Sequence, residues 1–600
     1  MRRRAGVILM TTAVCCALTA GAGTAATAAA GTAARGAAGA AARGAAGAAA
    51  RGTPAPAGHW GNARQVPGLE TLNTDGDSWV QSISCVQPGE CGAGGTFQAG
   101  GTDHAFIALE TGGTWEKARP FADAPDITAS MVTSVSCGAP DVCTAGGWYA
   151  QPGSIQLAFV AMVNGGSTDA IEVPGTPLTR GGSAQVFAVS CADSLDCAAG
   201  GNSNDPVAGV QQPFVADQVN GVWGTAHPLD GMSGLNQSGR GVIIALSCPS
   251  PGDCLATGTY GDADRVTHAF EAEESNGSWG PARPVPGIDL LTPYISEPMS
   301  ASCAAPGECS IAGFYIDGAK KKQQAWVADE HGGTWGLARA VPGTLARNTL
   351  GNAALNSVSC PSPGNCAAVG RYTVFPGFGH NFVTEEQGGV WQPDVRDLTL
   401  NGASVDGTGV NAEAVSCASA GDCAVIGEYN DPRNGVHLFV LTEVNGSWGT
   451  ARELPGSAAL NRKLFARLET VSCASAGNCA VGGFYMDAHG DIRALVADLS
   501  TVTSARVALS AATVRFGREQ AERISVRVIS RTGGTPGGQV SVAAGRQVLC
   551  VIKLAGGKGT CTLTAKRLRP GSYHVTALYG GSQVYSGSVA GAKTTLTVTR

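Results

Sequence analysis

The chain of 600 residues is too long for one ordinary hydrophobic core, so we expect at least two domains. Its 86 glycines and its charged content of only 14% favour short strands and tight turns over long surface helices. Residues 52–501 carry a net charge of −24 and residues 502–600 a net charge of +12, and we expect no nucleic-acid partner. Solubility alone can explain this asymmetry. The sharper hypothesis is that the basic residues 502–600 bind an anionic cell-wall polymer, or dock on the acidic residues 52–501.

Residues 1–30 are predicted to be a signal peptide. Three arginines at positions 2 to 4 precede the apolar stretch AGVILMTTAVCCALTA, and small residues near position 20 offer cleavage sites. A retained anchor is the alternative, but the apolar run is short for a membrane span. Residues 31–58 contain no large apolar side chain and are predicted to be an Ala/Gly/Arg linker. We therefore expect a secreted, extracellular mature chain without a stable membrane span.

The main feature of the chain is a repeat of about 55 residues. Eight Cys–x5–Cys pairs follow one another, each with serine before the first cysteine and glycine four residues after the second. An aromatic residue stands two positions beyond that glycine in seven copies, with Ser203 as the exception. Each copy reads as four short β-runs separated by turns, because its glycine and valine content disfavours helices. Four strands at this period are typical of a β-propeller blade.

A phrase of the type WGxAR marks the fourth run of most copies, as in Trp335-Gly-Leu-Ala-Arg339. One further copy begins at Trp60, before any cysteine pair, whereas no such phrase follows the last pair. We therefore predict that residues 59–501 form an all-β, eight-bladed propeller. Residues 60–68 would supply the outer strand of the last blade, which removes exposed sheet edges.

The turns before these tryptophans, such as ETGGTW, EHGGTW and ESNGSW, resemble the end of the Asp-box turn of sialidase-type propellers. The resemblance covers six to eight residues per copy, and Glu, Asn or Gly often stands where the family has Asp. It implies a fold rather than an activity, since that turn is structural in its family, and it implies a Trp packed between blades.

Sixteen cysteines in eight identical settings predict eight local disulfides, each clipping the first hairpin of a blade and each worth roughly 2 kcal/mol. Zinc is the rival interpretation, but the ligand spacing is wrong and the nine histidines show no matching position across the copies. We predict no metal and no cofactor. The predicted pairs are Cys85–Cys91, Cys137–Cys143, Cys191–Cys197, Cys248–Cys254, Cys303–Cys309, Cys360–Cys366, Cys417–Cys423 and Cys473–Cys479.

Residues 502–600 change to alternating strands at about ten-residue spacing, which predicts an immunoglobulin-like β-sandwich. The region resembles the bacterial Ig-like repeats of large surface and secreted proteins, which serve as spacers or adhesion modules. Cys550 and Cys561 are predicted to bridge neighbouring strands. The residues that carry the resemblance are Leu568, Pro570, Gly571, Tyr573, Val575, Ala577 and Tyr579.

Catalytic motifs are scarce in this sequence. It holds no His-Glu-x-x-His, Gly-x-Ser-x-Gly or Gly-x-x-x-x-Gly-Lys motif, and the Arg-Ile-Pro phrase of sialidases is absent. We therefore predict no catalytic residue. Arginines and carboxylates can still converge in three dimensions, so an enzymatic function remains an alternative.

A Tyr-x-Asp pattern recurs after the second run of four copies, in loops expected on the same face as the inter-blade connections. These residues are candidate ligands for carbohydrate or calcium, although aspartate capping a hairpin turn is the simpler interpretation. The candidate binding residues are Tyr260, Asp262, Tyr315, Asp317, Tyr429, Asp431, Tyr485 and Asp487.

These patterns lead to three hypotheses about function. The first is a secreted, monomeric, non-catalytic binding or scaffold protein that meets cell-wall polymer, glycan or protein at or outside the cell envelope. The second is a sialidase-like glycoside hydrolase, and the third is a purely structural surface protein.

Overall fold

The computed structural model describes residues 59–600 apart from 122–126, 154, 166, 319–320, 376, 401–402, 405–410, 432–434, 501–502, 531–534, 546, 582–584, 586–587 and 591–593. The predicted signal peptide and linker therefore lie outside the described residues. The described part of the chain is all-β, with antiparallel sheets and a few single-turn helices. In these residues, no helix has the length and apolar character needed to cross a membrane.

Seven sheets of four or five antiparallel strands follow one another along the chain and are numbered 1 to 7 here. Sheet 1 contains Ser78–Gln87, Glu90–Ala99, Thr102–Thr111, Thr114–Trp115 and Arg119–Pro120. Sheet 2 contains Ala129–Ala139, Val142–Gln151, Ile155–Asn164 and Ser167–Glu172. Sheet 3 contains Ser183–Cys191, Cys197–Asp205, Val210–Val219, Val222–Trp223 and His227–Pro228. Sheet 4 contains Val242–Ser250, Asp253–Gly261, Thr267–Ser275, Ser278–Trp279 and Arg283–Pro284.

The next three sheets repeat this order. Sheet 5 contains Ser296–Ala305, Glu308–Asp317, Lys322–His331, Thr334–Trp335 and Arg339–Ala340. Sheet 6 contains Ala354–Ser362, Asn365–Val374, Phe378–Gln387, Val390–Trp391 and Arg396–Asp397. Sheet 7 contains Asn411–Ser419, Asp422–Asn430, Val436–Val444, Ser447–Trp448 and Arg452–Glu453.

Sheet 8 combines the two ends of this region. Its strands Ala466–Ser475, Asn478–Met486 and Ile492–Ser500 are joined by His59–Trp60 and Arg64–Gln65. Trp60 pairs with Leu499, and Arg64 pairs with Val496. The N-terminal segment therefore occupies the place of the outer strand, which the repeat pattern predicts for residues 60–68.

The outer strand differs from the expected single run. In seven of the eight sheets it is split into two two-residue strands, both paired with the third strand. In sheet 5, for example, Trp335 pairs with Glu330 and Arg339 pairs with Val327, because a Gly-containing corner separates them. Sheet 2 lacks the Trp, and there the outer strand runs unbroken over six residues.

The Ser–Cys dipeptide links neighbouring sheets. In each sheet the serine Oγ accepts a hydrogen bond from the backbone N–H of the first cysteine in the next sheet. These eight bonds are 2.9–3.0 Å long. The series includes the bond from Cys85 to Ser472, which joins sheet 1 to sheet 8. The first strands therefore stand side by side in a closed ring.

The predicted disulfide bonds are present. Each cysteine pair is joined within its own sheet, across the turn between the first and second strands. The hydrophobic core lies between consecutive sheets, as where Val327 of sheet 5 packs in one cluster with Leu355 and Phe382 of sheet 6.

The tryptophans of the WGxAR phrase also link neighbouring sheets. In five copies of the phrase the indole Nε1–H donates to an acid on the third strand of the preceding sheet, for example from Trp391 to Asp329 at 3.0 Å. The arginine of the phrase can bind the same acid from its own sheet, as Arg339 does at 2.7 Å. The five donor–acceptor pairs are Trp115–Asp498, Trp279–Asp217, Trp335–Glu273, Trp391–Asp329 and Trp448–Glu385.

Short elements complete the ring. In the connections that the structure describes, there are five four-residue helices, each preceded by a glycine with positive φ. A two-stranded ribbon, Thr399–Leu400 with Ala403–Ser404, lies in the connection from sheet 6 to sheet 7. The helices are Leu69–Leu72, Met232–Leu235, Ile288–Leu291, Thr344–Arg347 and Ser457–Leu460.

Residues from 503 onward form two further sheets around one core cluster. One sheet contains Thr503–Leu509, Arg523–Ser530 and Lys558–Thr562, and a 3₁₀ turn spans Glu519–Ala521. The other contains Thr513–Arg515, Gln539–Ala544, Gln547–Lys553, Gly571–Tyr579, Ser588–Ala590 and Thr595–Thr599. Cys550 is bonded to Cys561, and the bond joins strands of different sheets.

Candidate functional site

The structure places the candidate Tyr-x-Asp residues at the hairpins between the second and third strands. Tyr260, Tyr315 and Tyr485 are buried, and Tyr429 is half-buried. Inter-sheet connections reach these hairpins, as where the Ile316 N–H donates to the Ile295 carbonyl. The hairpins and connections therefore share one face of the ring.

Three of the candidate aspartates close their own hairpins. Asp262 Oδ1 accepts the Val266 N–H at 2.8 Å, and its Oδ2 lies 2.9 Å from His268 Nε2. Burial acts to raise the pKa of Asp262, but the hydrogen bonds from His268 and Val266 outweigh it and leave that pKa below its usual value. Asp431 is held in the same way by the Gly435 N–H and His437. Asp487 accepts the Asp491 N–H and a hydrogen bond from Arg493 in place of a histidine.

Four histidines occupy matching positions on the third strands, which corrects the statement that none matches across the copies. Each pairs across the hairpin with the aromatic residue of the second strand, as His268 does with Tyr260. The ring centroids lie 5.1–5.4 Å apart. Aligning the copies on the phenylalanine two residues after each histidine would have revealed this match. The histidines are His104, His268, His380 and His437.

A different group of residues converges on the inner wall of the ring. Each first strand has an irregular residue four positions before its first cysteine, where the ladder to the second strand shifts register. In all eight sheets this residue is half-buried. From sheet 1 to sheet 8 these residues are Gln81, Thr133, Phe187, Ile244, Met299, Asn356, Glu413 and Glu469.

Sheets 7 and 8 build a charged cluster at this wall around Arg467. The Arg467 guanidinium binds Glu413, with Nε 2.7 Å from Oε1. The same Nε lies 3.5 Å from Glu469 and 3.9 Å from Glu428. The side chains of all four residues are 13–23% exposed, so the cluster is reachable from solvent.

Sheet 6 extends the cluster with a second arginine. Arg371 donates to Asn356 at 3.2 Å, and Asn356 donates to the Ala412 carbonyl of sheet 7 at 2.8 Å. Asn411 donates to Glu428 at 3.4 Å. Two arginines, three glutamates and two asparagines from three consecutive sheets thus form one hydrogen-bonded group, which we call the inner cluster.

Burial decides the electrostatics of the inner cluster. It raises the pKa of Glu469 to about 7, with Arg467 opposing the shift and Glu413 adding to it. Burial, with the charge of Glu413, also holds the pKa of Glu428 well above its usual range. Within the described residues, Glu428 Oε2 is buried without a hydrogen-bond partner. The cluster can therefore hold a proton near neutral pH and still offer an acceptor.

The adjoining arc of the wall is apolar. Phe187, Ile244 and Met299 hold the same position in sheets 3 to 5 that Asn356, Glu413 and Glu469 hold in sheets 6 to 8. The inner cluster was missed by sequence reasoning. The signal that could have found it is the fourth position before each first cysteine, where the copies diverge.

No family model and no curated protein matches the chain. Solved structures with partial likeness include Sqt1 of Chaetomium thermophilum bound to the N-terminus of ribosomal protein L10. It has 10% identity and a TM-score of 0.38, over 71% of this chain and 97% of that chain. The GH74 xyloglucanase of Xanthomonas campestris has 12% identity and a TM-score of 0.36, over 88% and 81%. The β-propeller domain of the Trilobed protease of Pyrococcus furiosus has 6% identity and a TM-score of 0.36, over 63% and 98%. Likeness at this level carries no conclusion about activity.

Proposed function

We propose that residues 59–501 are an eight-bladed β-propeller closed by its N-terminal strand, and that residues 502–600 are an Ig-like module. Support comes from the eight sheets, from the closed series of Ser–Cys hydrogen bonds and from the pairing of Trp60 with Leu499. The two sheets around one core after residue 503 fit a sandwich. Nine disulfides favour an oxidising, extracellular location for this chain.

We infer that this protein binds a polar ligand, a glycan or a protein segment, at the inner cluster and does not transform it. One observation carries this inference. The register shift four residues before the first cysteine, which forms the backbone frame of this position, repeats in all eight sheets. The side chain at that position, in contrast, differs from sheet to sheet. A residue needed by the frame would repeat with it. The charged group of sheets 6 to 8 is therefore free to serve recognition.

The test is binding of the full-length chain to a glycan array and to cell-wall material, with affinity for any hit measured by calorimetry. Arg467→Met should weaken binding at least tenfold, because it removes the cation that organises three glutamates. Arg506→Met is the matched control, since it makes the same change at an exposed position outside the ring. Equal affinity of the two variants would contradict the assignment. Absence of any ligand would favour a purely structural surface protein.

Glycoside hydrolysis is the second candidate, favoured by the carboxyl groups of the inner cluster. Glu469, with a pKa near 7, could serve as a general acid at neutral pH while Glu413 acts as the second carboxylate. A panel of fluorogenic glycosides tests this, and Glu469→Gln should abolish any turnover while leaving binding in place. Binding without turnover of the panel supports the non-catalytic function.

A further inference from the structure

Pairs of carboxyl groups meet at contacts between neighbouring sheets, at the ends of the third strands. At each of five contacts, a buried glutamate of one sheet faces an acid of the preceding sheet, and the acid acts to raise the glutamate's pKa. The acid of the preceding sheet is the one that accepts the tryptophan N–H described above. The five pairs are Asp498–Glu110, Asp217–Glu274, Glu273–Glu330, Asp329–Glu386 and Glu385–Glu443.

The chain supplies a cation at some of these contacts. Arg64 lies 2.8 Å from Asp498, and Arg339 lies 2.7 Å from Asp329. An ionised aspartate held by both an arginine and a tryptophan N–H does not need a proton. At these two contacts the arginine offsets part of the charge, although burial still raises the pKa of Glu110 to about 9 and that of Glu386 to about 7.

The contact between sheets 6 and 7 is built differently. Arg396, which matches Arg339 in the repeat, donates to the Trp448 carbonyl at 3.1 Å instead of binding Glu385. Among the described residues, no Lys, Arg or His makes an ion pair with Glu385 or Glu443. Glu443 lies opposite Trp448 in the strand ladder, and Trp448 donates its indole N–H to Glu385, so the two carboxyl groups flank one indole. Two buried carboxyl groups that flank one indole, with no ion-paired cation beside them, repel each other unless one of them is protonated.

The contact between sheets 4 and 5 repeats this arrangement. Glu273 accepts the Trp335 N–H, and Glu330, which is only 2% exposed, lies opposite Trp335 in the strand ladder. The other charged groups that act on Glu330 are Glu308 and His331, with opposite effects. At the contact of sheets 6 and 7 the corresponding groups are Asp422 and Arg396.

A cavity adjoins the pair at sheets 6 and 7. It measures about 370 Å³ and is lined by Glu385 and Glu443 together with Asn365 and Asn445 of the neighbouring turns. Glu443 is 4% exposed, and its Oε1 has no hydrogen-bond partner within the described part of the chain. The carboxyl pair therefore borders a space that solvent can enter when the contact loosens.

We propose that the contacts between sheets 4 and 5 and between sheets 6 and 7 are stable only while a proton is bound at each. The pairs Glu273–Glu330 and Glu385–Glu443 each share one proton, and its release to solvent at alkaline pH leaves two facing carboxylates that push the sheets apart. This device is independent of any ligand at the inner cluster.

The direction of the pH dependence follows from burial. Burial first, and then the facing glutamate, raises the pKa of Glu330 to about 7 and that of Glu443 to about 8. A folded pKa above the unfolded value means that the stabilisation is complete at acidic pH, below the ordinary glutamate pKa. It is lost as pH rises through about 7 to 8.

The test compares thermal unfolding of full-length wild type with the double variant E330Q/E443Q at several pH values between 5 and 9. Glutamine can donate to the facing carboxylate without a shared proton, and Gln218 already holds this position in sheet 3. We expect the wild-type unfolding midpoint to fall by several degrees from pH 6 to pH 9, and the midpoint of the variant to fall clearly less, since two of the groups with raised pKa are gone while others, such as Glu110 and Glu469, still titrate. E70Q, at an exposed glutamate, is the control and should behave as wild type.

Superimposed pH profiles of wild type and E330Q/E443Q would overturn the proposal. If the double variant does not fold, the single variants E330Q and E443Q should each remove part of the pH dependence. Infrared spectroscopy adds a second readout. The signal of protonated carboxyl groups should fall between pH 6 and pH 9 by more in the wild type than in the variants, and equal losses would also overturn the proposal.

Discussion

Glycine recurs four residues beyond the second cysteine of each repeat for a steric reason. Adding one methyl group at this position tests that reason. A Cβ built on Gly313 would lie 2.0 Å from the backbone oxygen of Glu297 in the first strand of its sheet. In the seven other sheets the same distance is 1.8–2.1 Å. We therefore expect Gly313→Ala to force the first two strands of sheet 5 apart.

The size of the effect follows from what must move. The obstructing atom belongs to the backbone of a paired strand, where Pro298 and Gly313 face each other in the ladder, so no side chain can rotate away. Overpacking of this kind costs about 1–3 kcal/mol, and we expect the upper end of that range. For a region of about 440 residues the unfolding entropy is about 0.9 kcal/mol/K, so the melting temperature should fall by roughly 3 °C.

The assay is thermal unfolding of the oxidised full-length chain, followed by circular dichroism. Gly336→Ala in the same sheet is the matched control, because its Cβ would meet the nearest atom, the Asp329 oxygen, at an ordinary 3.4 Å. The control should stay within about 0.5 kcal/mol of wild type. A melting temperature of Gly313→Ala equal to that of the control would refute the steric explanation.

Two further predictions concern the links that hold the sheets. Trp391→Phe removes the N–H that binds Asp329 and should cost about 1.5–3 kcal/mol in urea unfolding. Trp60→Phe should change stability little, because Trp60 Nε1 is buried without a hydrogen-bond partner in the described structure; an equal loss in both variants would contradict the role of the N–H. Non-reducing peptide mapping should find Cys360 bonded to Cys366, and replacing both by serine should cost roughly 2 kcal/mol. Bonds between different sheets would disprove the local pairing.

The features that the sequence predicts well are short in range or repeated. The cysteines of a pair are six residues apart, so a hairpin turn alone brings them together. The spare WGxAR phrase at Trp60 and its absence after the last cysteine pair predict the N-terminal strand of sheet 8. Repetition made both patterns recognisable, because a spacing that recurs in eight copies is distinguishable from a chance occurrence.

Features that arise between sheets were not foreseen. The inner cluster joins Arg371, Glu413 and Arg467, which lie in different repeats and meet only because the ring places their strands side by side. The facing pair Glu385 and Glu443 is likewise separated by one full repeat. Composition and spacing identify such residues as polar, but they do not reveal which of them face one another.

The sequence by itself determined the period, the local disulfides and the all-β class, since these depend on turn chemistry and on the alternation of residues within one repeat. Only the tertiary structure decided which carboxyl groups are buried together and which arginines neutralise them. The physical reason is that desolvation and Coulomb energies depend on distance and burial in the closed ring, and neither is encoded in a single repeat.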